Sequence, residues 1–202
     1  MGDASNGSGL REHVLLFSRF LRSPRTVGAL TASSRALADA MIEDVDISGR
    51  TRIVELGPGT GALTGPIVER LGPDVQFLAV DIDPEFVRQI RKRWPKVECI
   101  CASAERLDAL VVDRDMLPVD HILSGLPFVS LPSAMTRQIL QCVAGVLRRG
   151  GTFTTFQYLH AYQLPRAAEF RRAMTERMGR PPQVRLVLRN FPPAVILTWQ
   201  KH

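Results

Sequence analysis

The sequence predicts a doubly wound α/β domain, and three observations predict it. Apolar, β-type segments alternate with segments of helical period from about residue 51 to residue 188. Two apolar runs, Ile53-Val54-Glu55-Leu56 and Phe77-Leu78-Ala79-Val80-Asp81, carry an acid at or next to their ends. The first passes straight into Gly57-Pro58-Gly59-Thr60-Gly61, where glycine allows backbone angles and a close approach that a side chain forbids. A helix follows, and its free N–H groups would face whatever lies over the loop. Parallel strands joined by helices need both faces of the sheet covered, so a seven-stranded, mostly parallel sheet is expected. Only a short Asn190-Phe191-Pro192-Pro193 turn separates the last two strands, which makes the final one antiparallel.

Taken in order, residues 1–9 are rich in Gly, Ser, Asp and Asn and read as a disordered tail. Residues 10–34 read as a helix and a loop. Leu10, Val14, Phe17 and Leu21 recur at helical spacing, widened by Leu16 and Phe20, with Arg11, Arg19 and Arg22 alongside, and Pro24 stops the run. Periodicity leaves two readings open: an interfacial membrane helix, and a helix that packs on the domain. The stretch from Pro24 through Arg25 to Ser33 and Ser34 reads as a loop ending in two candidate N-caps.

The main domain is expected over 35–202. Helices are predicted at about 35–45, 62–71, 84–93, 133–147 and 165–178, and strands at about 51–56, 75–80, 97–101, 119–124, 152–158, 184–188 and 194–199. Pro84 and Pro165 suit first-turn positions.

With 202 residues the chain can bury one sizeable core. No apolar run approaches the ~20 residues of a membrane span, and no secretory or myristoylation pattern is read at the start. Three cysteines suggest a reducing compartment, with Cys99 and Cys101 read as strand core and no metal site expected. Net charge is +6, but unevenly spread. Residues 36–159 hold 13 basic and 16 acidic groups, while the two flanks hold 13 basic and 4 acidic. Basic flanks favour an anionic partner, either a nucleic acid or a membrane surface, or are simply solvated.

Ligands of such sheets bind outside the carboxyl ends of the strands. That gathers Glu55, Gly57 to Gly61, Asp81 with Ile82, Ser103-Ala104-Glu105, Ser124 to Phe128, and Tyr158 with His160 on one edge. Asp81 stands about 20 residues beyond the glycine loop, the distance at which a carboxylate meets ribose hydroxyls, with Asp83 as the rival. Glu55 is open to two readings, an acceptor for a ligand amino group or a loop cap. A Walker loop is excluded by the missing Lys, and the G-x-G-x-G spacing argues against a dinucleotide fold. His121, inside a strand, reads as a packed core histidine.

Glu-Leu-Gly-Pro-Gly-Thr-Gly and Val-Asp-Ile-Asp-Pro together resemble the first two motifs of Rossmann-like, S-adenosylmethionine-dependent methyltransferases. Three further pieces narrow the resemblance: Phe20 to Leu37, Ser124-Gly125-Leu126-Pro127-Phe128, and Arg189 to Ala194. Over roughly residues 12–200 the chain is similar to the bacterial soluble-type phospholipid N-methyltransferases, themselves similar to ribosomal RNA adenine dimethyltransferases. This resemblance implies transfer of methyl groups to phosphatidylethanolamine, up to three times, giving phosphatidylcholine. It also implies peripheral binding to an anionic membrane through the N-terminal helix, so Phe17, Phe20, Arg19, Arg22, Arg25, Ser33 and Ser34 become candidates for lipid or membrane contact. A monomer on the inner face of the cytoplasmic membrane, with no nucleic acid partner, is the expectation.

Two departures from the family patterns matter. Enzymes acting on adenine or amide nitrogens carry Asn or Asp where Gly125 stands, so the acceptor for a planar amino group is missing. Phe128 keeps an aromatic face, which attracts an alkylammonium by ~0.5–2 kcal/mol. Ser103, with Ala104 and Glu105, replaces the Asp expected for adenine. Transfer would run in line from the sulfonium to a neutral amine, so a proton acceptor is required, and Tyr158 and His160 are the candidates. The rivals are an RNA adenine dimethyltransferase and a non-enzymatic membrane-binding protein of the same fold.

Overall fold

A computed structural model describes residues 27–202, and side chains from residue 35 onward. The expected helix over 10–22, with Phe17, Arg19, Phe20 and Arg22, and Arg25 beyond it, lies outside the described residues. The first described helix, α1, spans Val27–Ile42 and continues through the expected boundary at residue 34. The predicted loop up to Ser34 is therefore corrected at 27–34. Its composition, Val-Gly-Ala-Leu-Thr-Ala-Ser-Ser, contains no Pro to break a helix, and neighbouring Ser residues are tolerated inside one.

The chain then alternates: β1 Arg52–Leu56, α2 Thr64–Val68, β2 Gln76–Asp81, α3 Pro84–Arg93, β3 Glu98–Cys101, α4 Leu107–Val112, β4 Val119–Ser124, α5 Ser133–Val146, β5 Leu147–Tyr158, α6 Pro165–Met178, β6 Gln183–Val187 and β7 Ala194–Gln200. One expectation is corrected in length, and one helix is added. The helix after the glycine loop is only five residues, because the loop's own turns consume its first positions. Helix α4 was not predicted; it is six residues long, too short for a period to show.

One seven-stranded sheet results, in the order β3-β2-β1-β4-β5-β7-β6. β1 to β5 are mutually parallel, and β7 inserts antiparallel between β5 and β6. Alternation along the strands divides the core into two layers. Val54, Leu56, Val80, Ile122, Phe153 and Trp199 face α4, α5 and α6. Ile53, Phe77, Ala79, Leu123 and Ile196 face α1 and α3. Arg185 of β6 ties α1 to the sheet edge by donating to Glu43 and to the Ala40 carbonyl. His121 is buried, its Nδ1 is 2.7 Å from Thr152 Oγ1, and desolvation lowers its pKa, as suits a neutral core histidine. Cys99 is buried, but Cys101 is exposed at the strand end, correcting the expectation that both are core.

Trp199 closes the first layer. It is fully buried, stacks on Phe153 at 6.0 Å, meets Phe170 edge-on at 5.8 Å, and donates from Nε1 to Thr175 Oγ1 at 3.0 Å. Trp199→Ala should lower stability by about 3–5 kcal/mol, read from the midpoint of urea unfolding with the slope unchanged.

Candidate active site

The carboxyl ends of the strands are stitched together past the last ladder pair. Gly57 N–H donates to the Val80 carbonyl at 2.9 Å, Gly125 N–H to Leu56 at 2.8 Å, and Ala102 N–H to Asp81 at 2.9 Å. The loops after β1, β2, β3 and β4 thus form one continuous floor. All three loop glycines hold left-handed angles, with φ of 72° at Gly57, 54° at Gly59 and 85° at Gly61. Those angles explain why the sequence repeats glycine there, since other residues reach them at a cost. The loop is wedged from one side by Trp94, whose ring lies 2.4 Å from where a Cβ on Gly61 would stand. Pro58 is buried and Thr60 exposed.

Gly125 receives a new explanation here. A Cβ at this position would meet the Gly57 carbonyl oxygen at 2.7 Å, a backbone atom that cannot step aside. Glycine at 125 is therefore required by the approach of the β4 loop to the β1 loop. The sequence signalled a departure at 125, but not this cause. Leu126 covers Gly57 from above, and its N–H is held by Ser124 Oγ at 3.2 Å.

Glu55 lies fully buried beneath the loop. Thr64 donates to its Oε2 at 2.8 Å, and Oε1 has no partner. Burial pushes its carboxyl up to about 8, Thr64 opposes the rise, and nearby Asp81 adds to it. Asp81 ends β2 on the same face of the sheet. Its Oδ2 accepts from Gly59 N–H at 3.0 Å and its Oδ1 from Asp83 N–H at 2.9 Å. Desolvation raises its pKa and the backbone donors oppose that. Asp83 instead caps α3 by accepting from Glu85 N–H at 2.8 Å, so the two acids that sequence left as rivals have separate posts. Ile82 is half-buried between them.

Ser103 opens the turn before α4. Its hydroxyl accepts from Glu105 N–H at 3.3 Å and donates to Glu105 Oε2 at 2.9 Å, while Ala104 is buried. Across the site, Tyr158 ends β5 half-buried, edge-on to Phe156 at 5.4 Å and stacked with exposed His160 at 5.7 Å. Burial raises the Tyr158 phenol pKa. Phe128 is corrected. Its ring is 6% exposed, stacked on Phe170 at 4.5 Å and edge-on to Phe153 at 6.2 Å. It belongs to the core layer under α5 and α6 and offers no open face to a cation. Ser33 and Ser34 fall within α1, whose side chains are described only from residue 35.

The residues present fit S-adenosylmethionine. The unpartnered, buried Glu55 Oε1 is an acceptor awaiting a donor, which a methionine ammonium supplies. Asp81 at the β2 end is a carboxylate with acceptor capacity left for ribose hydroxyls. Among the described residues, no group of three or more His, Cys, Asp or Glu is arranged to hold a metal.

Two predictions follow from this packing. Gly125→Asn should weaken S-adenosylmethionine binding tenfold or more, measured by calorimetry, because the β1 and β4 loops must part by roughly an ångström. Glu55 binds a proton in the folded state that it lacks when unfolded between about 4.5 and 8. Its contribution to stability is full below that window and is lost as pH rises through it. Glu55→Gln should therefore flatten the fall in stability between those pH values, read from urea unfolding at several pH values.

Comparison with known proteins agrees with this geometry. Residues 53–151 match the family model described as a methyltransferase domain. The ornithine lipid N-methyltransferase of Singulisphaera acidiphila is 27% identical over 147 residues, covering 71% of this chain and 77% of that protein. The ribosomal RNA small subunit methyltransferase A of Burkholderia thailandensis is 29% identical over 128 residues, covering 60% of this chain. The chain spans less than half of that relative, 43% of its length. Among solved structures, the 1,6-didemethyltoxoflavin-N1-methyltransferase of B. thailandensis, with bound 1,6-didemethyltoxoflavin and S-adenosylhomocysteine, superposes with a TM-score of 0.66 at 20% identity over 99% of this chain and 93% of that one. A TehB-like methyltransferase of Corynebacterium glutamicum gives 0.58 at 13% identity, over 98% and 100% of the two chains. With the glycine loop, the acids of β1 and β2 and this sheet order in one chain, the protein is a Rossmann-like, S-adenosylmethionine-dependent methyltransferase.

Proposed function

We propose that the chain methylates the primary amine of phosphatidylethanolamine at an anionic membrane surface, passing through the mono- and dimethyl forms to phosphatidylcholine. The observation that carries this reading is the likeness to a lipid N-methyltransferase over most of both chains. The ribosomal RNA relatives are matched over less than half their length. Gly125 supports the same choice, since a planar base would find no side-chain acceptor there. No described helix is long and apolar enough to cross a membrane.

When bound, S-adenosylmethionine supplies an electrophilic methyl group on its sulfonium. The chain's own residues do the rest. Asp81 and the Gly57–Gly61 loop fix the cofactor's position, with Glu55 facing its ammonium. An alkylamine titrates near ~10, so it must lose a proton before it can attack. Exposed His160 accepts that proton, and the Tyr158 hydroxyl beside it donates a hydrogen bond that holds the headgroup. Ser103 and Glu105 bound the adenine end.

The test is transfer of labelled methyl groups to vesicles of phosphatidylethanolamine with phosphatidylglycerol, to vesicles containing an ornithine lipid, to phosphatidylcholine alone, and to ribosomal RNA. Label in phosphatidylethanolamine, chased into phosphatidylcholine, is the expected result. Label in the ornithine lipid only would move the substrate to that of the named relative. Label in RNA only would sink the lipid reading.

A further inference from the structure

The carboxyl edge of the sheet extends beyond β4 into two more loops, residues 159–164 after β5 and 188–193 between β6 and β7. The two are joined where Leu159 N–H donates to the Pro193 carbonyl at 2.8 Å, and within the second loop Asn190 Nδ2 donates to the Pro192 carbonyl at 2.5 Å. Between them they leave Leu159 44%, Leu164 47%, Leu188 68% and Phe191 77% exposed. Val184 and Leu186 continue the apolar strip along β6, and of the large exposed apolar residues among those described only Val112 and Leu117 lie elsewhere, toward the amino edge. Arg166 and Arg189 stand exposed on the rim, and no acidic residue occurs within 156–168 or 184–194.

An apolar surface with cations on its rim, formed by two loops that carry no acid, is what an anionic bilayer interface accepts. We propose that this rim is a bilayer contact of the folded domain itself. Leu159, Leu164, Leu188 and Phe191 enter the interfacial layer while Arg166 and Arg189 meet its phosphates. This deepens the lipid-substrate reading above and rests on it. The rim also lies at a suitable distance from the chemistry. β1, β4 and β5 are neighbours, about 5 Å apart, so the glycine loop is roughly 10 Å from the β5 end. A lipid whose chains stay beneath the rim can bring its headgroup to the ends of β4 and β5 without leaving the membrane.

The test uses the full chain and two double variants, Leu188→Asp with Phe191→Asp, and Arg166→Gln with Arg189→Gln. Co-sedimentation is measured with phosphatidylethanolamine–phosphatidylglycerol vesicles and with phosphatidylcholine vesicles. Turnover is measured on the first vesicles and on a short-chain phosphatidylethanolamine dispersed as monomers. The apolar double variant should lose about tenfold or more in vesicle affinity, and turnover on vesicles should fall with it. Its turnover on the monomeric lipid should stay within about twofold, as expected when only surface capture is lost. The basic double variant should lose affinity for the anionic vesicles alone. Unchanged vesicle affinity of the apolar variant overturns the proposal, as does failure of the unaltered chain to bind vesicles. So does a change of sedimentation coefficient without a change of vesicle affinity, which would make the strip a contact between copies. If the unaltered chain binds vesicles through the rim yet methylates neither lipid, the substrate reading falls and the rim stands.

Discussion

The site depends on one close approach, that of the β4 loop to the β1 loop at Gly125 and Gly57. The Gly57 carbonyl occupies the place that a Cβ on residue 125 would need, 2.7 Å away. This lets Gly125 N–H bond to the Leu56 carbonyl and lays Leu126 over the glycine turn. Without it the ladder bonds that run past the ends of β1, β2 and β4 would not converge, and the loops would hang as separate connections. The floor is thereby held before any ligand arrives, which limits the ordering needed on binding.

Beneath that floor sits the other constraint, a carboxyl group buried with half of its hydrogen-bonding capacity unused. Glu55 is tolerated because Thr64 satisfies one oxygen and because the acid takes up a proton where no counter-charge is present. Asp81 differs although it ends the neighbouring strand. Two backbone N–H groups hold its charge, so the cofactor loop and the β2 turn share one acceptor. Two acids on one face of the sheet thus have different environments and different tasks.

Aromatic residues divide along the same lines. Phe128, Phe153, Phe170 and Trp199 form a buried cluster between the sheet and α5 and α6. Tyr158 and His160 stand at the edge, on the strand end that the antiparallel β7 supports. The late strands therefore do more than widen the sheet. By inserting β7 between β5 and β6, they carry the β6–β7 loop to the same edge as the site and set its apolar residues beside those that follow β5.

The sequence by itself determined the alternation of elements, the glycine loop, the acids after β1 and β2, and the antiparallel last strand. Each of these is a local pattern: a period, a turn composition, or a spacing along the chain. β4 and α6 fall on the predicted residues because a cluster of turn formers bounds each of them. What it could not fix were properties created by contact between distant segments. The start of α1 was misplaced, since no breaker marks residue 27, and six-residue α4 shows no period. Only tertiary structure decided that Phe128 is core rather than pocket, because the ring's partner Phe170 lies on α6, 42 positions along the chain. It likewise decided that Gly125 answers to Gly57, and that Glu55 is buried with one oxygen unpartnered while Asp81 is held by amides. Burial and the distance between backbones are set by packing, which no single stretch of sequence contains.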